Sequence, residues 1–90
     1  MTIFYEDEIL KQIKKGEIPK SIFELFHHAF IALETTNDMN LFDIKRLKSS
    51  QERSYYRIRK NKYRAIFYIE NKNYYVINIA KREEVYKQWE

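Results

Sequence analysis

The sequence has 90 residues, with 17 basic and 13 acidic side chains, a net charge of +4 and no cysteine. This length allows one domain, residues 1–90, and excludes two independent domains. The absence of cysteine excludes a disulfide framework and fits a reducing compartment. No segment is apolar enough to span a membrane, and residues 6–8 are acidic where a secretory signal needs positive charge, so a cytoplasmic protein is expected.

The two halves of the chain differ in charge. Residues 1–44 contain four lysines and eight acidic residues, whereas residues 45–90 contain 13 basic and five acidic residues. A basic half is typical of proteins that bind polyanions, because each neutralised phosphate releases condensed counterions. A solvated basic surface without a ligand is the alternative, and charge alone does not decide between them.

The first half of the chain predicts a strand and two helices. Residues 2–5 are β-branched and aromatic, as in strands, and residues 7–15 place acidic side chains first and lysines last, as in helices. Gly16 follows as a left-handed cap. A second helix is predicted over residues 22–34, where apolar residues recur at helical spacing, and residues 35–54 then form a largely polar connector.

Two features of the second helix concern its start and its histidines. Ser21 and Glu24 have the spacing of a capping box, in which both side chains accept hydrogen bonds from backbone N–H groups at the helix start. His27 and His28 are adjacent, and adjacent helical positions do not face each other. A structural role is therefore favoured over a metal site for both histidines, and no cofactor is expected.

Three antiparallel strands are predicted in the second half, and alternation assigns each side chain to one face of the sheet. One choice of core face satisfies all three strands, with Tyr56, Ile58, Tyr63, Ala65, Phe67, Ile69, Tyr75, Ile77 and Ile79 inside. The opposite face then carries Arg57, Arg59, Arg64 and Arg82. Lys81 falls on the core side by the same alternation.

Register adds a specific pairing of these arginines. Residues 61–62 form the simplest turn that keeps core side chains together, and they place Arg59 opposite Arg64; a three-residue loop, residues 71–73, places Arg82 diagonal to Arg64. Like charges directly opposite each other destabilise a sheet, so an anionic ligand is favoured over a plain solvated face. Arginine binds phosphate oxygens in a bidentate manner, and tyrosines among the arginines suit base stacking.

Three segments of the second half form a recognisable set: residues 56–59 (Tyr-Arg-Ile-Arg), residues 63–64 (Tyr-Arg) and residues 81–86 (Lys-Arg-Glu-Glu-Val-Tyr). Together they resemble the RelE/ParE superfamily of toxin–antitoxin toxins, and the match covers about residues 44–87. The resemblance implies an α+β domain with an N-terminal strand and a helical hairpin packed on a small antiparallel sheet. A short C-terminal helix, residues 83–89, completes the expected RelE-like fold.

The resemblance also implies an activity and its partners. RelE-like members cleave mRNA in the ribosomal A site without a metal, by attack of the 2′-hydroxyl on the adjacent phosphate, and a cognate antitoxin neutralises them in the cytoplasm. The residues that match the family's site are Arg64, Arg82 and Tyr86 for catalysis, and Arg57, Arg59 and Lys81 for RNA binding. The tyrosine is expected to stack on a base.

The chain departs from the family pattern in its candidates for proton transfer. RelE has lysines where this chain has Arg57 and Arg59, and a guanidinium does not release its proton at neutral pH, so neither arginine is expected to act as a general base. Both can stabilise a pentavalent phosphate. Tyr86, or a group of the substrate or ribosome, is the first candidate for proton transfer, and Lys81 is the second.

Two other functions remain open from the sequence. One is a ParE-like inhibitor of DNA gyrase, and the other is an inert toxin fold that only binds an antitoxin. Excess apolar surface on the helices suggests a groove for an acidic antitoxin segment, although core packing is the alternative for each residue. The residues concerned are Phe23, Leu25, Ile31 and Trp89.

Overall fold

The computed structural model describes residues 2–47 and 53–81. These residues form β1 (Ile3–Tyr5), α1 (Asp7–Lys14), α2 (Lys20–Thr36), a 3-10 turn (Met39–Leu41), β2 (Asp43–Arg46), β3 (Tyr55–Lys60), β4 (Tyr63–Glu70) and β5 (Asn73–Lys81). The predicted α+β class is confirmed, whereas the predicted C-terminal helix, residues 83–89, lies outside the described residues. Neither of the two described helices is long and apolar enough to cross a membrane.

The strands form one sheet in the order β1-β5-β4-β3-β2. The pairs β2–β3, β3–β4 and β4–β5 are antiparallel, whereas β1 pairs with β5 in parallel. The N-terminal strand was predicted without a partner, and it joins this sheet in parallel because no tight hairpin links β1 to β5 and forces antiparallel pairing. β2 lies within the predicted connector and is an edge strand, in which Ile44 pairs with Ile58 and packs against the core.

The helices begin and end close to the predicted positions. Gly16, just after α1, has the predicted left-handed conformation with φ of +80°. α2 begins at Lys20 rather than Ile22, so Ser21 lies inside the helix and the predicted capping box is wrong. No side chain caps the start of the helix. Pro19 precedes it with φ of −58°, and the proline ring restricts the backbone to an angle that suits a helix start.

The β3–β4 hairpin has the predicted turn and register. Asn61 and Lys62 form a two-residue turn, and Arg59 lies opposite Arg64. Asn61 has φ of +55°, a conformation that asparagine adopts more readily than most residues. The β4–β5 hairpin was predicted with a three-residue loop, but its turn has only two residues, and the strands pair from Glu70 and Asn73 onward.

A β-bulge interrupts β5 and changes which of its side chains are buried. Phe67 pairs with Val76 whereas its neighbour Ile66 pairs with Asn78, so Ile77 is an extra residue on β5. Alternation is broken at such a residue. The core residues of β5 are Tyr74, Val76 and Ile79, instead of the predicted Tyr75, Ile77 and Ile79.

The main core lies between the helices and one face of the sheet. α2 contributes Phe26, Ala29, Phe30 and Leu33, all of which are buried. The Phe30 ring packs edge-on against Phe67 of β4 at a centroid distance of 5.1 Å. On the other face of the sheet, Leu47 and Ile66 form a smaller buried cluster. The two described helices therefore leave the second face free for side chains with other roles.

Candidate nucleic-acid interface

The arginine face is the side of the sheet that points away from the main core, and we define it by Arg57, Arg59 and Arg64. Arg57 and Arg59 flank Ile58 on β3, and Ile58 is buried in the main core, so the two arginines project to the opposite side. Arg59 is directly opposite Arg64 on β4. Strand pairing thus brings three of the four predicted arginines onto one face, and the fourth, Arg82, lies outside the described residues.

The three arginines differ in their exposure to solvent. The Arg59 side chain is 41% exposed and that of Arg57 is 11% exposed, whereas Arg64 is only 1% exposed as a residue. A guanidinium stays charged when it is buried, and its desolvation is costly. Arg64 is therefore held by the fold at the base of the arginine face, and a ligand that approaches this face meets Arg59 first.

Lys81 does not lie with the arginines. It is exposed at the end of β5 and pairs with Tyr63, whose side chain packs against the main core. Lys81 also lines a cavity of about 360 Å³ together with Gln12 of α1, on the helix side of the sheet. RNA binding by Lys81 stays a prediction, as does catalysis by Arg82 and Tyr86, which lie outside the described residues.

Asp43 is the residue of the arginine face that the sequence analysis did not identify. It lies on β2 directly opposite Arg59. One carboxylate oxygen, Oδ2, lies 2.7 Å from Arg59 Nη2, and the other, Oδ1, lies 3.1 Å from Arg57 Nη1. The hydrogen bond from Arg57 lowers the pKa of the Asp43 carboxyl, and the positive charges of both arginines act in the same direction. One carboxylate therefore bridges both arginines of β3.

A row of aromatic rings occupies the other end of the same face. Phe4 stacks on Tyr75 at a centroid distance of 5.1 Å, and Tyr75 stacks on Tyr68 at 4.9 Å. Tyr55 meets Tyr68 edge-on at 5.8 Å, and the Arg53 guanidinium lies 4.0 Å from the Tyr68 ring centroid. Since these rings contact one another, their faces are largely occupied, and the interior of the row is a poor platform for nucleobases.

The predicted structural role of the histidines fits the contacts of His27. Its Nδ1 is 2.8 Å from the Tyr5 hydroxyl, and its ring lies parallel to that of Phe23 at 5.8 Å. Among residues 2–47 and 53–81, no cluster of three histidine, aspartate or glutamate side chains is arranged to hold a metal ion. His28 is exposed on α2.

The residues predicted to form a partner groove are exposed to different extents. Ile31 on α2 is 43% exposed. Phe23 and Leu25 are half-buried, and the Phe23 ring packs against Tyr5 at 4.8 Å. Trp89 lies outside the described residues. Ile31 is thus the member of the set with the clearest potential for contact with a partner.

Two solved structures that share this fold are of toxin–antitoxin complexes. The chain matches a structure of the RelB–RelE antitoxin–toxin complex from Methanococcus jannaschii with a TM-score of 0.71 and 22% identity, covering 97% of this chain and 99% of that chain. It matches the archaeal RelE–RelB complex from Pyrococcus horikoshii OT3 with a TM-score of 0.70 and 20% identity, covering 90% and 93%. No protein-family profile and no curated protein sequence matches it. The predicted RelE-like fold is confirmed.

Proposed function

We propose that this protein is the toxin of a toxin–antitoxin pair and inhibits translation by cleaving mRNA on the ribosome. The observation that carries the proposal is the pairing of Arg59 with Arg64, beside Arg57, on the face of a RelE-like sheet opposite the two described helices. Guanidinium groups bind phosphate oxygens in a bidentate manner, and RNA supplies phosphates at a fixed spacing. The similarity to RelB–RelE complexes supports a toxin role and a cognate antitoxin as partner.

The proposed reaction needs no cofactor, because the nucleophile and the leaving group both belong to the RNA. The 2′-hydroxyl attacks the adjacent phosphorus, and the bond from phosphorus to the 5′-oxygen of the next nucleotide breaks. In this scheme Arg57 and Arg59 bind the phosphate, and Arg64 and Arg82 stabilise the charge that develops on it.

Proton transfer is assigned to other groups, since a guanidinium does not accept a proton from the 2′-hydroxyl. Tyr86 stacks on a base and is also the first candidate for proton transfer, together with groups of the ribosome. Lys81 is the second candidate. Its position on the helix side of the sheet means that it reaches the RNA only from the end of β5.

Controlled expression in bacteria tests this function. Wild-type protein is expected to arrest growth and to produce mRNA cut at the ribosomal A site, whereas Arg59→Ala and Arg82→Ala are expected to abolish both effects. Arg53→Ala is the matched control, because Arg53 is an exposed arginine that pairs with Glu70 at the aromatic end of the face. Full cleavage by both Arg59→Ala and Arg82→Ala would contradict the proposal.

The burial of Arg64 favours a second candidate function, in which the fold binds an antitoxin without cleaving RNA. Arg64 is 1% exposed as a residue, and a side chain buried to this extent cannot contact a phosphate unless its surroundings rearrange. Harmless overexpression, together with stable binding of the product of an adjacent reading frame, would identify this function. Gyrase-dependent DNA breaks in place of cut mRNA would instead identify a ParE-like inhibitor.

A further inference from the structure

The Asp43 carboxylate has the position and hydrogen bonds of a bound anion. Each of its oxygens accepts a hydrogen bond or ion pair from a different guanidinium, with distances of 3.1 Å to Arg57 Nη1 and 2.7 Å to Arg59 Nη2. Two non-bridging oxygens of a phosphodiester would use the same donors in the same way. The carboxylate therefore occupies the place that a phosphate needs in order to contact both arginines.

The two bonds differ in how firmly they hold their partners. The side chains of Asp43 and Arg59 are 43% and 41% exposed, and ion pairs at such exposure contribute little to stability. Arg57 is 11% exposed, and its Nη1 also donates to the backbone carbonyl of Asp43 at 3.2 Å. That second bond does not depend on the carboxylate. Arg57 can thus stay in place while the carboxylate leaves.

We infer that Asp43 is a built-in competitor for phosphate, which holds the anion-binding site of Arg57 and Arg59 until a phosphodiester displaces it. The identification of that phosphodiester as RNA rests on the function proposed above. The side chain keeps both guanidiniums oriented in the free protein, and its negative charge weakens binding of polyanions that do not reach both arginines. Asp43 thereby makes the site selective for anions that contact both arginines, and it keeps the two arginine side chains ordered when no anion is bound.

Asp43→Asn tests this inference, because it keeps the shape of the side chain and removes its charge. Glu70→Gln is the matched control: Glu70 is also an exposed acid in a salt bridge, with Arg53 at 2.8 Å, and its substitution changes the net charge equally. Binding of a fluorescein-labelled oligoribonucleotide with 2′-O-methyl groups, which cannot be cleaved, is measured by anisotropy. Asp43→Asn is expected to tighten binding about three- to tenfold, and Glu70→Gln by less than about twofold.

A double-mutant cycle separates competition from a general change in charge. In the Arg59→Ala background, Asp43→Asn is expected to change the affinity by less than about twofold, because one of the two guanidiniums that the carboxylate masks is gone. Thermal unfolding of each variant checks that the fold is intact. Binding by Asp43→Asn that is equal to or weaker than that of Glu70→Gln would overturn the inference and show that Asp43 only positions the arginines.

A second probe distinguishes failure of this inference from failure of the proposed function. Inorganic phosphate is titrated into the full chain, and the Nε–H signals of the arginines are followed by NMR. Tighter phosphate binding in Asp43→Asn supports the competitor role even if neither protein binds RNA, a result that would contradict the RNA function alone. RNA binding that depends on Arg59 but does not improve in Asp43→Asn would overturn the inference alone.

Discussion

Arg59 and Arg64 lie directly opposite each other on β3 and β4, yet only Arg59 is open to solvent. Arg59 is 41% exposed and pairs with Asp43, whereas Arg64 is buried. A pair of like charges is thus arranged with one guanidinium at the surface and one beneath it. The exposed member is suited to capture a phosphate, and the buried member adds positive potential in a region of lower dielectric.

Removal of the exposed arginine is expected to weaken RNA binding and its dependence on salt. Each phosphate contact contributes roughly −0.7 to the slope of log K against log salt for a single strand, so Arg59→Ala is expected to reduce that slope by about this amount. Anisotropy measurements with the uncleavable oligoribonucleotide between low and moderate salt provide the slope. Lys72→Ala, at the far turn of the sheet, serves as the control and is expected to leave the slope nearly unchanged.

The interface between α2 and the sheet is expected to dominate stability. Phe30 is fully buried and packs against Phe67, so Phe30→Ala should lower the free energy of unfolding by about 3–5 kcal/mol. Ile31 is 43% exposed on the same helix. Ile31→Ala is therefore expected to change the free energy of unfolding by about 0.5 kcal/mol or less. Urea denaturation followed by circular dichroism measures both. Equal losses in the two variants would contradict the described packing.

The two hairpin turns are expected to respond differently to glycine. Lys72 has a φ of +66°, which is strained for a lysine, whereas Lys62 does not have a positive φ. Lys72→Gly should therefore raise the free energy of unfolding by about 0.5–1 kcal/mol, and Lys62→Gly should leave it unchanged or lower it. Chemical denaturation of the two variants makes the comparison. A stabilising Lys62→Gly with a destabilising Lys72→Gly would show that the turns are assigned incorrectly.

Stability is expected to fall at alkaline pH because of the half-buried Tyr5 and the buried Tyr74. Burial raises the pKa of Tyr5, and burial together with the Glu34 carboxylate raises that of Tyr74. Above about pH 10 the unfolded chain loses these phenolic protons while the native protein keeps them, so the unfolded state binds fewer protons and the free energy of unfolding decreases as pH rises. Tyr5→Phe removes one of the two contributions.

The measurement for this prediction is the free energy of unfolding between about pH 8 and pH 11. Tyr5→Phe is expected to have a shallower decline than the wild type, although it loses the hydrogen bond to His27 and starts from a lower value. A decline of the same steepness in both proteins would contradict the role of Tyr5. Tyr74→Phe provides the second comparison.

Strand alternation and turn length predicted the β3–β4 hairpin correctly but failed for the β4–β5 hairpin. The register of Arg59 and Arg64 follows from alternation and a two-residue turn with an asparagine that adopts positive φ. The same rule failed on β5, because alternation assumes an unbroken strand and the bulge at Ile77 adds one residue. No sequence signal marks that residue, because Val76 and Ile77 are both apolar and either could face the core.

Residues of the candidate site were predicted from the sequence, but the extent to which each is buried was not. Alternation indicates the side of the sheet that a residue faces, and it gives no information about its burial, so the difference between Arg59 and Arg64 could not be foreseen. Asp43 was missed because four residues of polar and apolar alternation in β2 were too few to predict a strand. Once β2 is known to pair with β3, the position of Asp43 opposite Arg59 follows directly.

The most direct test of ribosome-dependent cleavage is an assay with purified protein, ribosomes and a defined mRNA whose A-site codon is unoccupied. The wild-type protein is expected to cut the mRNA in the A site, to leave the same mRNA intact when ribosomes are omitted, and to lose activity on Arg59→Ala but not on Arg53→Ala. Intact mRNA in the presence of wild-type protein and ribosomes would contradict the proposed function.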